Sequence, residues 1–207
     1  MMKYNNNSFI RFFAGNYVAR LLREELSSDL TYHNLSHTIG VVQGVWSISE
    51  NSELTRDEIE ILELAAWFHD TGYLECYKGH EFESQKIAQT FLRKQNYPDE
   101  KTKRVLNCIA ATKMPHQPVS LLEKVICDAD LYHLSLTDYG YTQQRLREEW
   151  SKVLNLEFSD EEWINQNLKF LEEHRYFTSY GQKVLQKGKI VNIWRYKELH
   201  KIYDVLR

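Results

Sequence analysis

The chain has 207 residues, 43% of them hydrophobic and 27% charged, with a formal net charge of −3. That length allows a sizeable core and that hydrophobic share excludes disorder as the dominant state, while the lack of a basic excess argues against non-specific nucleic-acid binding. Only 8 Gly and 3 Pro occur, few for an all-β fold rich in tight turns and well suited to long helices.

Between residues 8 and 26, apolar side chains at Phe9, Phe12, Phe13, Val18, Leu21 and Leu22 fit an amphipathic helix, which Ser27-Ser28-Asp29 breaks. A second helix is expected from about Asn34, carrying His37, Ile39, Val41, Val42, Val45 and Trp46. Thr55 and Glu58 form a capping-box pattern ahead of Ile59, Leu62, Ala65, Ala66 and Phe68. That third helix should end at His69-Asp70-Thr71-Gly72, with Gly72 as its stop. Further helices are predicted over about 80–95, from Pro98 to about Ala111, and from Ser120 to the Asp128-Ala129-Asp130 segment. The remainder, about 141–207, alternates charged and apolar residues at helical spacing, with Ser159 and Glu162 as a second capping-box pattern. One all-α domain over 1–207 is expected. Its motif-bearing core spans about 30–135, and C-terminal helices over about 141–207 pack on it.

Cys76, Cys108 and Cys127 are odd in number and lack CxxC spacing. They read as reduced, buried thiols rather than a disulfide framework or a zinc knuckle. No stretch approaches about 18 consecutive apolar residues, so no membrane span is expected. The N-terminal apolar patch is interrupted by Arg11 and reads poorly as a signal peptide. A cytoplasmic protein is the expectation. The five Trp residues, Trp46, Trp67, Trp150, Trp163 and Trp194, read as core rather than as a base-stacking platform.

Chemistry concentrates in His37, the His69-Asp70 pair and Asp130, on separate helices or helix ends. Imidazole and carboxylate together suit borderline and hard divalent ions such as Mn, Fe, Ni, Zn or Mg. Adjacent residues on one helix point about 100° apart, so a His-Asp pair sharing one ion belongs at a helix end.

The strings YHNLSHT at Tyr32 to Thr38, AAWFHDTGY at Ala65 to Tyr73, HEFES at His80 to Ser84 and CDADLYHL at Cys127 to Leu134 resemble the HD-domain superfamily of metal-dependent phosphohydrolases. The resemblance implies a helical bundle of that type, with His37, His69, Asp70 and Asp130 as metal ligands. Asp128 then lies behind the ligands or caps its helix. The string Tyr32-His33-Asn34 followed by His37 is similar to the signature of class I cyclic-nucleotide phosphodiesterases, in which the first His protonates the leaving oxygen. His33 becomes a candidate general acid, with Asp70 orienting the attacking water.

Those phosphodiesterases carry a further His where this chain has Tyr73. His80 is a candidate substitute, as a second-metal ligand or phosphate contact. The later region that supplies more histidines in two-metal relatives reads Ile109-Ala110-Ala111-Thr112-Lys113, with His116 beyond it. Lys113 is a candidate phosphate contact or a solvated lysine. Arg145 and Arg147 read as partners in local ion pairs. The implied activity is hydrolysis of a phosphoric ester, phosphodiesterase or phosphomonoesterase, by metal-activated water, on a small substrate such as a cyclic nucleotide or nucleoside monophosphate. Two alternatives stay open: an HD-type diiron oxygenase and a catalytically silent metal or nucleotide sensor.

Overall fold

A computed structural model describes residues 9–205; Ser8 and the Asn5 to Asn7 run lie outside the described residues. These form nine α-helices joined by short 3-10 and π turns, with no strand among them. The fold is all-α, as the composition and periodicity predict. Two compact units divide the chain: residues up to Ser27 with His33–Asp130, and Ser28–Tyr32 with the residues from Leu131 onward.

The first unit contains α1 (Ile10–Glu24), α2 (Leu35–Ser49), α3 (Arg56–Phe68), α4 (His80–Lys94), α5 (Asp99–Ala111) and α6 (Leu121–Asp130). The central element is α3, which packs against α1, α2, α4, α5 and α6. Ile61, Leu62, Leu64, Ala65, Ala66 and Phe68 are all fully buried, so nearly the whole C-terminal half of α3 is core rather than one stripe of it. Its entry is fixed by the predicted capping box, in which Thr55 Oγ1 accepts from the Glu58 N–H and Glu58 accepts from the Thr55 N–H. The α2 entry is capped by Asn34, whose Oδ1 accepts from the Ser36 N–H at 2.9 Å. Opposite α3, Val41, Val45 and Ile48 of α2 and Val125 and Ile126 of α6 complete the layer.

Two sequence expectations are corrected here. The buried stripe of α1 is Ile10, Ala14, Val18 and Leu22 at strict four-residue spacing, while Phe9, Phe12 and Phe13 face solvent. Of the tryptophans, Trp163 is buried, but Trp46 and Trp194 are 47% and 62% exposed. Helical phase, set by the Ile10, Ala14, Val18 and Leu22 stripe, decides which α1 side chains face inward. The cysteines are free, with Cys108 and Cys127 buried and Cys76 half-buried.

The second unit contains α7 (Tyr139–Leu154), α8 (Asp160–Glu173) and α9 (Gln186–Val205), the last preceded by a π turn over Gly181–Leu185. Leu131, Leu134, Tyr139, Ile164, Leu171 and Tyr196 form its core. Ser159 and Glu162 cap α8 reciprocally. Arg145 donates to the Thr31 carbonyl at 2.7 Å, and the Tyr32 N–H donates to the buried Glu149 carboxylate at 2.8 Å. Arg147 pairs with Asp160 at 2.6 Å. Arg147 thus makes the expected local ion pair, whereas Arg145 donates to the distant Thr31 backbone and to the Tyr141 hydroxyl. No helix among the described residues is long and apolar enough to cross a membrane.

Candidate metal centre

His37 sits in the first turn of α2, where the Asn34 cap directs the chain into the helix. His69 is the residue after α3, still helical at φ −53 and ψ −38, whereas Asp70 turns to φ −105 and ψ 4. This break rotates Asp70 out of the helical phase, so adjacent side chains converge instead of diverging by about 100°. Asp130 is the last residue of α6.

These four residues meet. His37 Nε2 and His69 Nε2 are 3.3 Å apart. Asp70 Oδ2 lies 3.3 Å from His37 Nε2 and 3.1 Å from His69 Nε2. Asp130 Oδ1 lies 3.1 Å from His37 Nε2 and 3.5 Å from His69 Nε2. Donors that share one ion at about 2.1 Å stand about 3.0 Å apart in an octahedron and about 3.4 Å apart in a tetrahedron. The observed separations fall on those edges.

Two further observations fit a cation. His69 Nδ1 donates to the Ala66 carbonyl at 2.8 Å, which leaves the Nε2 lone pair of the neutral ring facing the cluster. Asp70 Oδ2 is buried and accepts no hydrogen bond despite its two imidazole neighbours. A buried, orphaned carboxylate oxygen is costly unless something positive completes it. The ligand atoms of His37, His69 and Asp70 lie within 4.8 Å of one another, a group that could hold a metal ion.

Without an ion, protons do that work. Burial pushes His37 down, but the Asp130 and Asp70 carboxylates beside it outweigh that and raise its pKa to about 9. His69 is likewise disfavoured by burial and raised well above its usual value by Asp70 and Asp130. Burial raises Asp70 and Asp130, and their histidine partners more than reverse that, holding both below the usual carboxylate range. The sign for stability follows. His37 has a folded pKa above its unfolded value of about 6.5, so its contribution is complete below that pH and is lost as pH rises through about 9. Metal affinity runs the other way, because ligation requires neutral imidazole. We expect thermal stability of the chelated protein to fall between about pH 6.5 and 9 while Mn affinity rises over the same interval. Paired melting curves and calorimetric titrations would check both slopes.

His80, the first residue of α4, lies against the second oxygen of Asp70, with Nε2 3.3 Å from Oδ1. Its Nδ1 faces the Tyr77 carbonyl at 3.2 Å, again turning the Nε2 lone pair inward. His33 stands one helical turn before His37, with ring centroids 5.8 Å apart at 80°. Asp128 is fully buried in α6, and the Asp130 carboxylate meets the histidines. Lys113 is exposed, and no hydrogen bond or ion pair joins its side chain to the cluster among the described residues.

Three residues named in the sequence take roles here that the sequence does not assign them. His116, with a side chain 4% exposed, brings Nε2 to 3.7 Å from Asp130 Oδ2 and to 3.1 Å from the Thr112 carbonyl. Its distance from other motif residues in the chain hid it. Ser84, the last residue of the HEFES string, accepts the Gly72 N–H at 2.8 Å. Gly72 itself is not a helix stop but a close-approach glycine in the 3-10 turn Thr71–Leu74. A Cβ there would stand 1.9 Å from the His80 carbonyl oxygen, so only glycine lets α4 bring His80 against Asp70. Gly72→Ala is expected to cost about 1–3 kcal/mol or more, read as a lower denaturant midpoint, and to weaken metal binding with it.

The first unit is thus an all-α scaffold whose His-His-Asp cluster is suited to a divalent ion. Residues 34–135 match the family model of the HD domain. The chain carries that domain, and the HD-domain superfamily is one of metal-dependent hydrolases. No curated protein and no solved structure gives a significant match to the chain.

Proposed function

We propose that the protein is a cytoplasmic, metal-dependent hydrolase of a small phosphoric ester, with a cyclic nucleotide or nucleoside monophosphate as the preferred substrate class. The observation that carries this reading is the convergence of His37, His69, Asp70 and Asp130 at separations of 3.1–3.5 Å. In it, His37, His69, Asp70 and Asp130 hold a divalent ion, of which Mn, Mg, Fe, Ni and Zn all suit the mixed N/O donors. When bound, such an ion supplies Lewis acidity and lowers the pKa of water.

The chain's own groups do the rest. Asp70, whose oxygens face both His37/His69 and His80, orients the attacking water. His33 donates a proton to the departing oxygen; its ring is half-buried, within reach of solvent and of a substrate beside His37. His80 binds a second ion or a phosphoryl oxygen. Asp128 supports the α6 terminus from behind Asp130. All of these residues belong to the first compact unit. The nucleotide preference rests on the likeness of Tyr32-His33-Asn34 and His37 to the cyclic-nucleotide phosphodiesterase signature.

The diiron oxygenase reading gains one histidine from the placement of His116. That ring's Nε2 is engaged by the Thr112 carbonyl at 3.1 Å, so it acts as a donor there and leaves a six-ligand set incomplete. A panel of nucleotides and aryl phosphates, assayed with each metal after chelation, tests the proposal. Metal-dependent phosphate release is expected. Nucleotide-induced thermal stabilisation without release would point to a sensor, and iron- and oxygen-dependent turnover to an oxygenase.

A further inference from the structure

The position that departs from the phosphodiesterase pattern has a structural occupation of its own. The Tyr73 ring is stacked on His80 at 3.8 Å and 19°, and on His33 at 4.4 Å and 25°. Tyr77 closes edge-on against Tyr73 at 5.1 Å and against His33 at 6.0 Å, and its carbonyl holds His80 Nδ1. One half-buried tyrosine ring therefore touches both imidazoles that flank the four-residue cluster, whose own centroids are 6.5 Å apart.

We propose that Tyr73 is the positioning residue of this site: its ring sets the planes of His33 and His80 together, so the proton donor and the second ion-binding imidazole are fixed by the same side chain. This rests on the hydrolase reading above. The physical ground is that hydrogen bonds at an imidazole's edge leave it free to rock about the axis through them, and a ring stacked on its face removes that motion. For His80 the hydrogen bond to Tyr77 sets the tautomer, and the stack on Tyr73 sets the direction of Nε2 toward Asp70 Oδ1. His33 has the same ring on one face and Tyr77 at its edge. The stack needs an aromatic face, so phenylalanine should keep it and aliphatic residues should not.

The test is Mn titration of the chelated full chain by calorimetry, with bound metal counted by elemental analysis, for wild type, Tyr73→Phe, Tyr73→Leu and Tyr73→Ala. Wild type is expected to take a tighter and a weaker ion. Tyr73→Leu and Tyr73→Ala should weaken the second ion roughly 10- to 100-fold and leave the first in place, which also reports that the variants fold. Tyr73→Phe should keep the second ion within about twofold of wild type, since the stack remains. Combining Tyr73→Leu with His80→Ala should weaken second-ion binding no further than His80→Ala alone. Retention of wild-type second-ion affinity by Tyr73→Leu and Tyr73→Ala, or loss of it in Tyr73→Phe, would overturn the positioning role while leaving the hydrolase reading intact. A wild-type chain that takes a single Mn ion would overturn this inference, and one that takes none would overturn the hydrolase reading with it.

Discussion

Asp70→Ala is expected to remove bound metal and bring turnover to background, the largest effect of any single replacement in this chain. Both carboxylate oxygens are committed: Oδ2 faces His37 and His69, and Oδ1 faces His80. Asp130 approaches the same two imidazoles through its own Oδ1, but Asp70 faces His80 as well. Asp70→Asn keeps the volume and one acceptor oxygen and separates charge from shape. It should fold like wild type yet bind Mn far more weakly, because the amide presents a hydrogen-bond donor where a second anionic oxygen stood. Elemental analysis after gel filtration, together with circular dichroism, would check both variants. Metal retained in Asp70→Ala would remove this residue from the ligand set.

His33→Ala has the second largest expected effect and a different signature. His33 stands one helical turn before His37, with ring centroids 5.8 Å apart, and lies outside the proposed ligand set, so bound metal should be unchanged. Loss of a positioned proton donor costs about 10²- to 10⁴-fold when the departing alkoxide needs the proton. With p-nitrophenyl phosphate the departing phenolate is already stable, and the loss should stay below about tenfold. Steady-state rates on a nucleotide and on the aryl ester, measured side by side, give the contrast. Equal slowing of both substrates would take the acid role away from His33.

The helical fold was legible because its signals are local. Both capping boxes, Thr55 with Glu58 and Ser159 with Glu162, form as the sequence pattern predicts, and Asn34 and Pro98 stand at the N-termini of α2 and α5. The meeting of His37, His69, Asp70 and Asp130 was legible only through the resemblance, since periodicity says nothing about which helix ends converge. What stayed hidden depends on tertiary distance. Gly72 looked like a helix stop because the close approach of the His80 carbonyl leaves no mark in the neighbouring residues. His116 follows a loop after α5, with no spacing rule that ties it to Asp130. The outward face of Phe9, Phe12 and Phe13 was hidden for a simpler reason: composition outweighed phase, although Ile10, Ala14, Val18 and Leu22 already mark the inward stripe.

The second unit also contains a buried titratable group of its own. Lys189 is fully buried and donates to the His174 carbonyl at 2.6 Å. Burial, with a smaller effect of Arg175, lowers its pKa to about 8. The Lys189 ammonium and the His37–Asp70–Asp130 cluster lie in different units, so their pH effects arise in separate parts of the chain.

Anomalous diffraction from crystals grown with Mn would test the central claim most directly. The geometry predicts a peak within about 2.2 Å of His37 Nε2, His69 Nε2 and the near oxygens of Asp70 and Asp130. A well-ordered site showing the four side chains as placed, with the anomalous peak elsewhere on the protein or bound by other residues, would contradict it.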